Sequence, residues 1–371
     1  MQRMLCIVGG MNAGGAETFI MKIYRAIDKT KYQFDFAVAT QEKCFYDDEI
    51  LSYGGRIFRI TPKSAGLIKN FKCIKSIVKD NGYQIVMRVS QHSLSALELL
   101  AAKKGGAKTR VFRSSNSNTT TGSKRSFILH KLCMFMPKRF ANVRIAPSTE
   151  AAEYMFGKGC IKKKKAFLIK NAIDLSKYTF SSEERIRLRR ELSIDDCFVV
   201  GHVGRFNQQK NHVFLINVFC EIKKRNNSAK LLLVGIGEKQ QEIQRLVSEK
   251  GLSNDVIFTG VRSDIPSLMS AMDVFLFPSL YEGMPNTVIE AQACGLPCVV
   301  SDAITKEAKV TNILKFVPLS STLDNWAEVA LSFNGIREST HDEMRKKEYD
   351  ISSSVHRFIE LVFDNDLNDE N

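Results

Sequence analysis

The chain has no run of about 18 or more apolar residues, so no membrane-spanning helix is expected. Its nine cysteines include no C-x-x-C pair, and the nearest two are Cys294 and Cys298. An odd, scattered set reads as reduced thiols filling the cores of a cytoplasmic protein, which excludes a disulfide framework. Six histidines occur without H-x-x-x-H or His/Cys spacing, and no zinc site is expected. A D-x-D-like string occurs only at Asp364-Asn365-Asp366, in an acidic tail away from any strand end, and reads as chance. The opening Met1-Gln2-Arg3-Met4-Leu5-Cys6-Ile7-Val8 lacks the longer apolar core and small-residue cleavage site of a signal peptide, so no leader is expected.

What is there begins with size. With 371 residues, 44% apolar and 25% charged, the chain is too long for one core and comfortable as two globular domains. The net charge of +14 is localised: residues 103–190 hold 22 Lys and Arg against 5 Asp and Glu, an excess of 17. Such a stretch invites a polyanion. It contains no helix-turn-helix, basic zipper or aromatic RNA-binding motif, so nucleic acid is not the expected partner. An anionic membrane surface fits better, because residues 124–140 form an amphipathic piece within it. The expectation is a cytoplasmic protein held peripherally on the inner face of the plasma membrane.

Hydrophobic periodicity gives strands at residues 4–8, 34–38, 56–60, 85–89, 109–113, 143–147 and 167–169, alternating with helical patterns such as 67–78 and 94–104. A second series has strands at 198–203, 230–234, 256–259, 274–277 and 297–301, with helices at 213–224 and 239–250. Strict βα alternation implies α/β architecture with two Rossmann-like, doubly wound parallel sheets. Residues 175–196, rich in Glu and Arg, mark the expected boundary. The expected domains are 1–175 and 176–345, with residues 346–371 carrying a last helix that returns to the first domain and a frayed acidic tail.

Three stretches carry candidate chemistry. Gly9-Gly10-Met11-Asn12-Ala13-Gly14-Gly15-Ala16-Glu17 lies between a strand and a helix, where glycines let backbone N–H groups approach a phosphate. It is neither the dinucleotide fingerprint nor a P-loop, having no G-K-[ST]. Arg205 ends a strand, and Lys210 follows before the next helix. A planar cationic fork and a point charge together suit a diphosphate. The third stretch runs from Tyr281-Glu282-Gly283-Met284-Pro285-Asn286-Thr287 to Glu290 and on to Cys294-Gly295-Leu296-Pro297. It follows an apolar strand. Gly283 loosens the chain, Pro285 suits the first helical position, and Gly295 suits the stop. Glu290, four residues beyond Asn286, shares its helix face. Two carboxylates eight residues apart around a helix start suit a ligand with phosphate and several hydroxyls.

The third stretch resembles the Glu-x7-Glu motif of the retaining nucleotide-sugar glycosyltransferases of family 4. Residues 204–212, G-R-F-N-Q-Q-K-N-H, resemble that family's G-R-x-x-x-x-K-N motif, and the G-G-A-E turn at Gly14-Gly15-Ala16-Glu17 is similar to its N-terminal loop. The resemblance spans nearly the whole chain and is strongest over residues 198–305. It implies the GT-B arrangement, two Rossmann-like domains facing across a cleft, in the branch that builds bacterial capsular or exopolysaccharide units.

On this resemblance Arg205 and Lys210 hold the donor's diphosphate and Glu290 binds ribose hydroxyls. Glu282 faces the transferred sugar. Gly14, Gly15 and the segment Gly283, Met284, Pro285, Asn286 and Thr287 meet sugar and phosphate, with the base near Val261 and Arg262. The donor would be a UDP- or GDP-sugar used as substrate without a metal or other cofactor, and the acceptor a lipid-linked saccharide. Relatives commonly carry H-S-H-N after the fifth strand. Here Arg113-Ser114-Ser115-Asn116 stands instead, leaving His92 and Asn116 as acceptor-side candidates. Asn171-Ala172-Ile173-Asp174 replaces N-G-I-D. The alternatives are another GT-B enzyme, a nucleotide-sugar epimerase or phosphorylase, or a non-catalytic carbohydrate-binding relative.

Overall fold

The computed structural model describes residues 1–12, 14–115, 124–333 and 337–364. They divide into two compact units, one from Met1–Ala172 with Ile351–Asn371 and the other from Ile173–Asp350.

Unit 1 begins with β1 (Gln2–Val8), α1 (Gly15–Ala26), β2 (Tyr32–Val38), α2 (Asp47–Ser52), β3 (Ile57–Arg59) and α3 (Leu67–Asp80). It continues with β4 (Ile85–Ser90), α4 (Leu97–Gly105), β5 (Thr109–Ser114), α5 (Lys124–Leu132), α6 (Phe135–Phe140), β6 (Val143–Ala146), α7 (Thr149–Phe156) and β7 (Phe167–Leu168). The strands form one sheet in the order β3-β2-β1-β4-β5-β6-β7, every pairing parallel. Both faces are covered, so the strands read as continuous apolar runs rather than alternating ones.

Unit 2 comprises α8 (Ser182–Glu191), β8 (Val199–Val203), α9 (His212–Arg225), β9 (Lys230–Val234), α10 (Gln240–Glu249), β10 (Val256–Gly260) and α11 (Ile265–Ala271). Then follow β11 (Val274–Phe277), α12 (Asn286–Ala293), β12 (Cys298–Ser301), β13 (Leu314–Val317), α13 (Leu323–Leu331) and α14 (His341–Lys346). Its sheet, β10-β9-β8-β11-β12-β13, is again parallel throughout. In both sheets the strand order reverses beside the first strand, at β1/β4 and at β8/β11. Loops leaving the strands' carboxyl ends diverge there and leave a crevice. The last helix, α15 (Ile351–Val362), belongs to unit 1. Phe358, Leu361 and Val362 enter its core, where Phe34 lies 5.9 Å from Phe358 between ring centres.

The unit boundaries fall at Ala172/Ile173 and Asp350/Ile351 rather than after 175 and 345. Ile173 and Leu175 are buried with Ile289, Met344 and Tyr349 in a core of unit 2, which draws the start of that unit back and its end forward. Nor is the charged stretch after 175 a linker. It contains α8, whose Arg185 and Arg189 converge on buried Asp273 at 2.5 Å and 2.6 Å, while Val199 N–H donates to the same carboxylate at 2.7 Å. Residues 124–140 are two helices, α5 and α6, broken by a turn at Cys133-Met134.

Candidate active site

The carboxyl edge of the second sheet gathers most of the residues singled out in sequence. Three backbone constraints build it. Gly235 has φ +129°, and a Cβ there would lie 2.2 Å from the Gly204 carbonyl. A Cβ on Gly237 would lie 2.4 Å from the Phe206 carbonyl, so the loops after β8 and β9 stack main chain on main chain. Phe206 N–H donates to Ile236 O (3.0 Å) and Gly204 N–H to Val234 O (3.0 Å). The loop after β8 is also tied to the one after β11. Leu280 N–H donates to Gln209 O (2.9 Å), Gln209 Nε2 to Tyr281 O (2.9 Å), and Asn211 Nδ2 to Pro278 O (3.2 Å). Asn211 takes up the sharp entry to α9 in the left-handed region, φ 56°. The crevice at the β8/β11 reversal is thereby floored by cross-linked loops.

Lys210 and Glu282 meet on that floor. Lys210 Nζ lies 2.6 Å from Glu282 Oε1, their side chains 16% and 13% exposed, and 4.5 Å from the centre of the Phe277 ring. A cation over an aromatic face and against a carboxylate is held in place with little freedom. Arg205 is the opposite case. Its side chain is 72% exposed and pairs at 3.3 Å with Glu238, 58% exposed, in the loop after β9, so it can swing onto an incoming anion at small cost.

α12 starts at Asn286 with Pro285 as its N-cap, one residue earlier in role than the sequence suggests, and no side chain caps it. Gly295 ends it at φ +61°, where a Cβ would strike the Glu338 carbonyl. The uncapped N-terminus carries the positive end of the helix dipole. Asn286 Oδ1 and Ser279 Oγ are buried beside it without a protein hydrogen-bond partner. Gly283 and Met284 lead into this turn, Thr287 lies in it, and Glu290, 8% exposed, sits one turn further along. Val261 is exposed after β10. Arg262, expected with it near the base, is paired with Asp264 (2.6 Å) and Glu191 (3.4 Å).

Beneath Lys210 lies a histidine pair that sequence reading did not single out. His202, fully buried on β8, donates from Nδ1 to the Leu276 carbonyl (2.8 Å), which leaves Nε2 unprotonated and without a protein partner. His212, at the start of α9, stacks on Phe206 at 4.2 Å and lies 4.8 Å from His202 between ring centres. Burial first, then the Lys210 charge, holds His212 down to about 4; burial, then His212, lowers His202 as well. Both are neutral under the cation. A base whose folded pKa is depressed loses stability as pH falls from its unfolded value, about 6.5, and the loss stops once pH passes the folded value. Between pH 6.5 and 4, His212 should therefore cost the fold about 3 kcal/mol. Urea melts across that window should show a shallower acid slope for His212→Leu than for the parent; equal slopes would remove the pair as its source.

In unit 1, Gly14 caps α1 and Gly15 is its first residue. Glu17 folds back so closely that its Oε2 would lie 2.4 Å from a Cβ on Gly14, placing an internal carboxylate at that helix start. Burial raises the Glu17 pKa, against the opposing pull of its own N–H, Arg113 and Arg88. Arg113, in the position of the family's histidine string, is buried over the Phe19 ring at 3.6 Å and donates to Asn171 Oδ1 at 2.8 Å; burial pulls it down to about 9. His92 ties the turn after β4 to α5: Nδ1 accepts from Leu94 N–H (3.2 Å) and Nε2 donates to Ser126 O (3.0 Å). Asn116 lies outside the described residues.

The basic stretch 103–190 is not one surface. Residues 173–190 belong to unit 2, Arg113 and Arg189 are buried, and Arg110 and Arg144 donate to backbone carbonyls. The exposed remainder includes an apolar ridge, Phe127, Ile128, Leu129, Leu132 and Phe135, on α5 and α6. Among the described residues no helix is long and apolar enough to cross a membrane.

A family model described as group 1 glycosyl transferases matches residues 197–321, which hold the loops just built. The Bacillus subtilis protein named "Putative glycosyltransferase EpsF" is 33% identical over 363 residues, covering 95% of this chain and 94% of its own. The chain belongs to the group 1 glycosyltransferases. An Escherichia coli relative, UDP-Gal:alpha-D-GlcNAc-diphosphoundecaprenol alpha-1,3-galactosyltransferase, is 32% identical over 162 residues, 41% of this chain and 42% of its own. Among solved structures, Anabaena HepE in complex with UDP superposes with a TM-score of 0.79 at 18% identity, covering 97% of this chain and 99% of that one. WaaG, a glycosyltransferase involved in lipopolysaccharide biosynthesis, gives 0.73 at 13%, covering 97% and 99%. These likenesses establish the fold of this glycosyltransferase as GT-B.

Proposed function

We propose that this glycosyltransferase is a retaining enzyme of family 4 that moves a sugar from a UDP- or GDP-sugar to a lipid-linked saccharide during bacterial exopolysaccharide or capsule synthesis. The observation that carries the reading is the meeting of Lys210, Glu282 and the uncapped start of α12 at the β8/β11 reversal. The diphosphate lies against the α12 N-terminus, Lys210 and Arg205; Glu290 takes the ribose hydroxyls and Glu282 the sugar. As transfer proceeds, the bond from the anomeric carbon to the diphosphate oxygen breaks, and its electron pair stays on that oxygen. The acceptor hydroxyl oxygen bonds the same carbon on the same face, and its proton passes to the departing phosphate oxygen. Lys210 and Arg205 stabilise the charge that develops, in the place a metal would otherwise take. Two carboxylates serving as hydroxyl ligands, rather than as an acid and nucleophile pair across the bond, distinguish this arrangement from a glycosidase.

Acceptor chemistry belongs to unit 1, whose α5–α6 ridge with Arg125, Lys131, Lys138 and Arg139 docks the enzyme on the anionic cytoplasmic leaflet. A screen of UDP- and GDP-sugars that follows nucleotide release, with and without lipid-linked acceptor and with EDTA throughout, tests the reading. Acceptor-dependent release that survives the chelator, with the donor's anomeric configuration kept in the product, is expected. Sugar interconversion without acceptor would mark an epimerase, and binding without turnover a non-catalytic relative.

A further inference from the structure

A second hollow lies in unit 1, outside residues 103–190 and apart from the donor loops. The turn leaving β3, with Lys63 in its short helical segment Lys63–Ala65, meets the segment Ser93–Ala96 leaving β4: Lys63 Nζ donates to Ser95 Oγ at 2.7 Å. Between α3 and the start of α4 this leaves a cavity of about 400 Å³ lined by Leu67, Ile68, Phe71 and Leu97 with Lys63, Lys72 and Lys75. That volume is in the range of sites that take a small organic ligand.

Its apolar wall is open to solvent. Ile68 is 72% exposed and Leu67 46%, neighbours at the start of one helix. Its cations are in surplus. Among the described residues Lys72 and Lys75 have no carboxylate within ion-pair reach, while buried Glu98, next in sequence to Leu97, is already held by Arg88 at 2.5 Å and Lys63 at 3.5 Å. Ile68 shares its helix face with Lys72 and Lys75. An apolar wall rimmed by uncompensated ammonium groups complements an amphiphile with an anionic head, and a wholly apolar or wholly ionic ligand would leave half of the surface unmatched.

We propose that the hollow between α3 and α4 binds the phosphate-proximal isoprenoid units of a prenyl phosphate, the lipid end of the acceptor. The inference rests on the lipid-linked acceptor of the reading above. Leu67, Ile68 and Phe71 cover the chain, and Lys72 and Lys75 set the field for its phosphate. The hollow opens at the edge of unit 1 that also carries the Gly14–Gly15 turn, since the loops after β1, β3 and β4 all leave carboxyl ends of one parallel sheet. It therefore places the lipid on the acceptor-side edge and leaves α5 and α6 to meet the surrounding bilayer.

The test is titration of the full chain with farnesyl phosphate, with farnesol and inorganic phosphate as controls and UDP binding measured on every variant. Saturable binding of farnesyl phosphate, at least tenfold tighter than of either control, is expected. Leu67→Glu with Ile68→Glu should weaken it about tenfold or more, and Lys72→Glu with Lys75→Glu similarly, with UDP affinity unchanged. The substituted side chains are exposed, so folding is spared. Phe127→Glu with Leu132→Glu should reduce binding to anionic vesicles and leave farnesyl phosphate binding alone. Equal affinity in the α3 variants, no saturable binding by the parent chain, or loss only in the α5 variants would each overturn the proposal. Failure of every sugar donor to turn over with a soluble acceptor would count against the proposed transfer itself, and not against this site.

Discussion

Lys210→Met should lower turnover about 10²- to 10³-fold, the usual cost of removing one preorganised group from a developing anion. Lys210 cannot be replaced by a neighbour. It is fixed by Glu282 on one side and the Phe277 ring on the other, and the remaining cation of the motif, Arg205, is exposed and paired with Glu238. Methionine keeps the unbranched stem over Phe277 and removes the charge, so the fold should survive. Single-turnover rates with saturating donor check this directly. A rate within a factor of about three of the parent would assign the leaving group's stabilisation to Arg205 and α12 instead.

The second large effect has a sign that separates roles. Glu282 pairs with Lys210, the cation proposed to hold the diphosphate. Glu282→Gln should therefore bind free UDP or GDP at least as tightly as the parent, because Lys210 no longer has to be shared. The same variant should transfer sugar about 10²-fold more slowly, having lost the carboxylate proposed to grip the sugar. Nucleotide affinity from calorimetry set beside kcat from nucleotide release gives both numbers. A variant weakened equally in nucleotide affinity and turnover would make Glu282 a structural support for the loop.

Much of this site was legible because its parts are contiguous strings. The run from Tyr281 to Pro297 announces a strand end, a turn and a helix start, and the spacing from Arg205 to Lys210 announces a loop with two cations. What was not legible depends on strand register. His202 finds the Leu276 carbonyl only because Val200 pairs with Val274 across β8 and β11. Glu238 reaches Arg205 only because Gly235 and Gly237 let two loops lie main chain on main chain. A lone histidine or glutamate in sequence carries none of that information.

The same physics explains the errors in the fold. The stretch after 175 reads as solvated because charge usually is, yet Arg185 and Arg189 are spent on one buried aspartate 88 and 84 residues away. β13 carries little strand signal in sequence because it is four residues long with exposed Lys315 in its middle. Arg262, expected near the base, pairs with its own neighbour Asp264. His92, next to a helix start, is a capping side chain.

In the proposed reaction the donor is gripped by the loops that leave β8 and β11 together with α12. Calorimetric titration of UDP- and GDP-sugars into the parent chain and into Arg205→Ala with Glu290→Ala tests this most directly. Saturable binding by the parent that falls at least about 10³-fold in the double variant, the sum of one lost charge-assisted contact at the diphosphate and one at the ribose, is the predicted result. Unchanged donor affinity in the double variant would place the nucleotide elsewhere on the molecule and contradict the assignment.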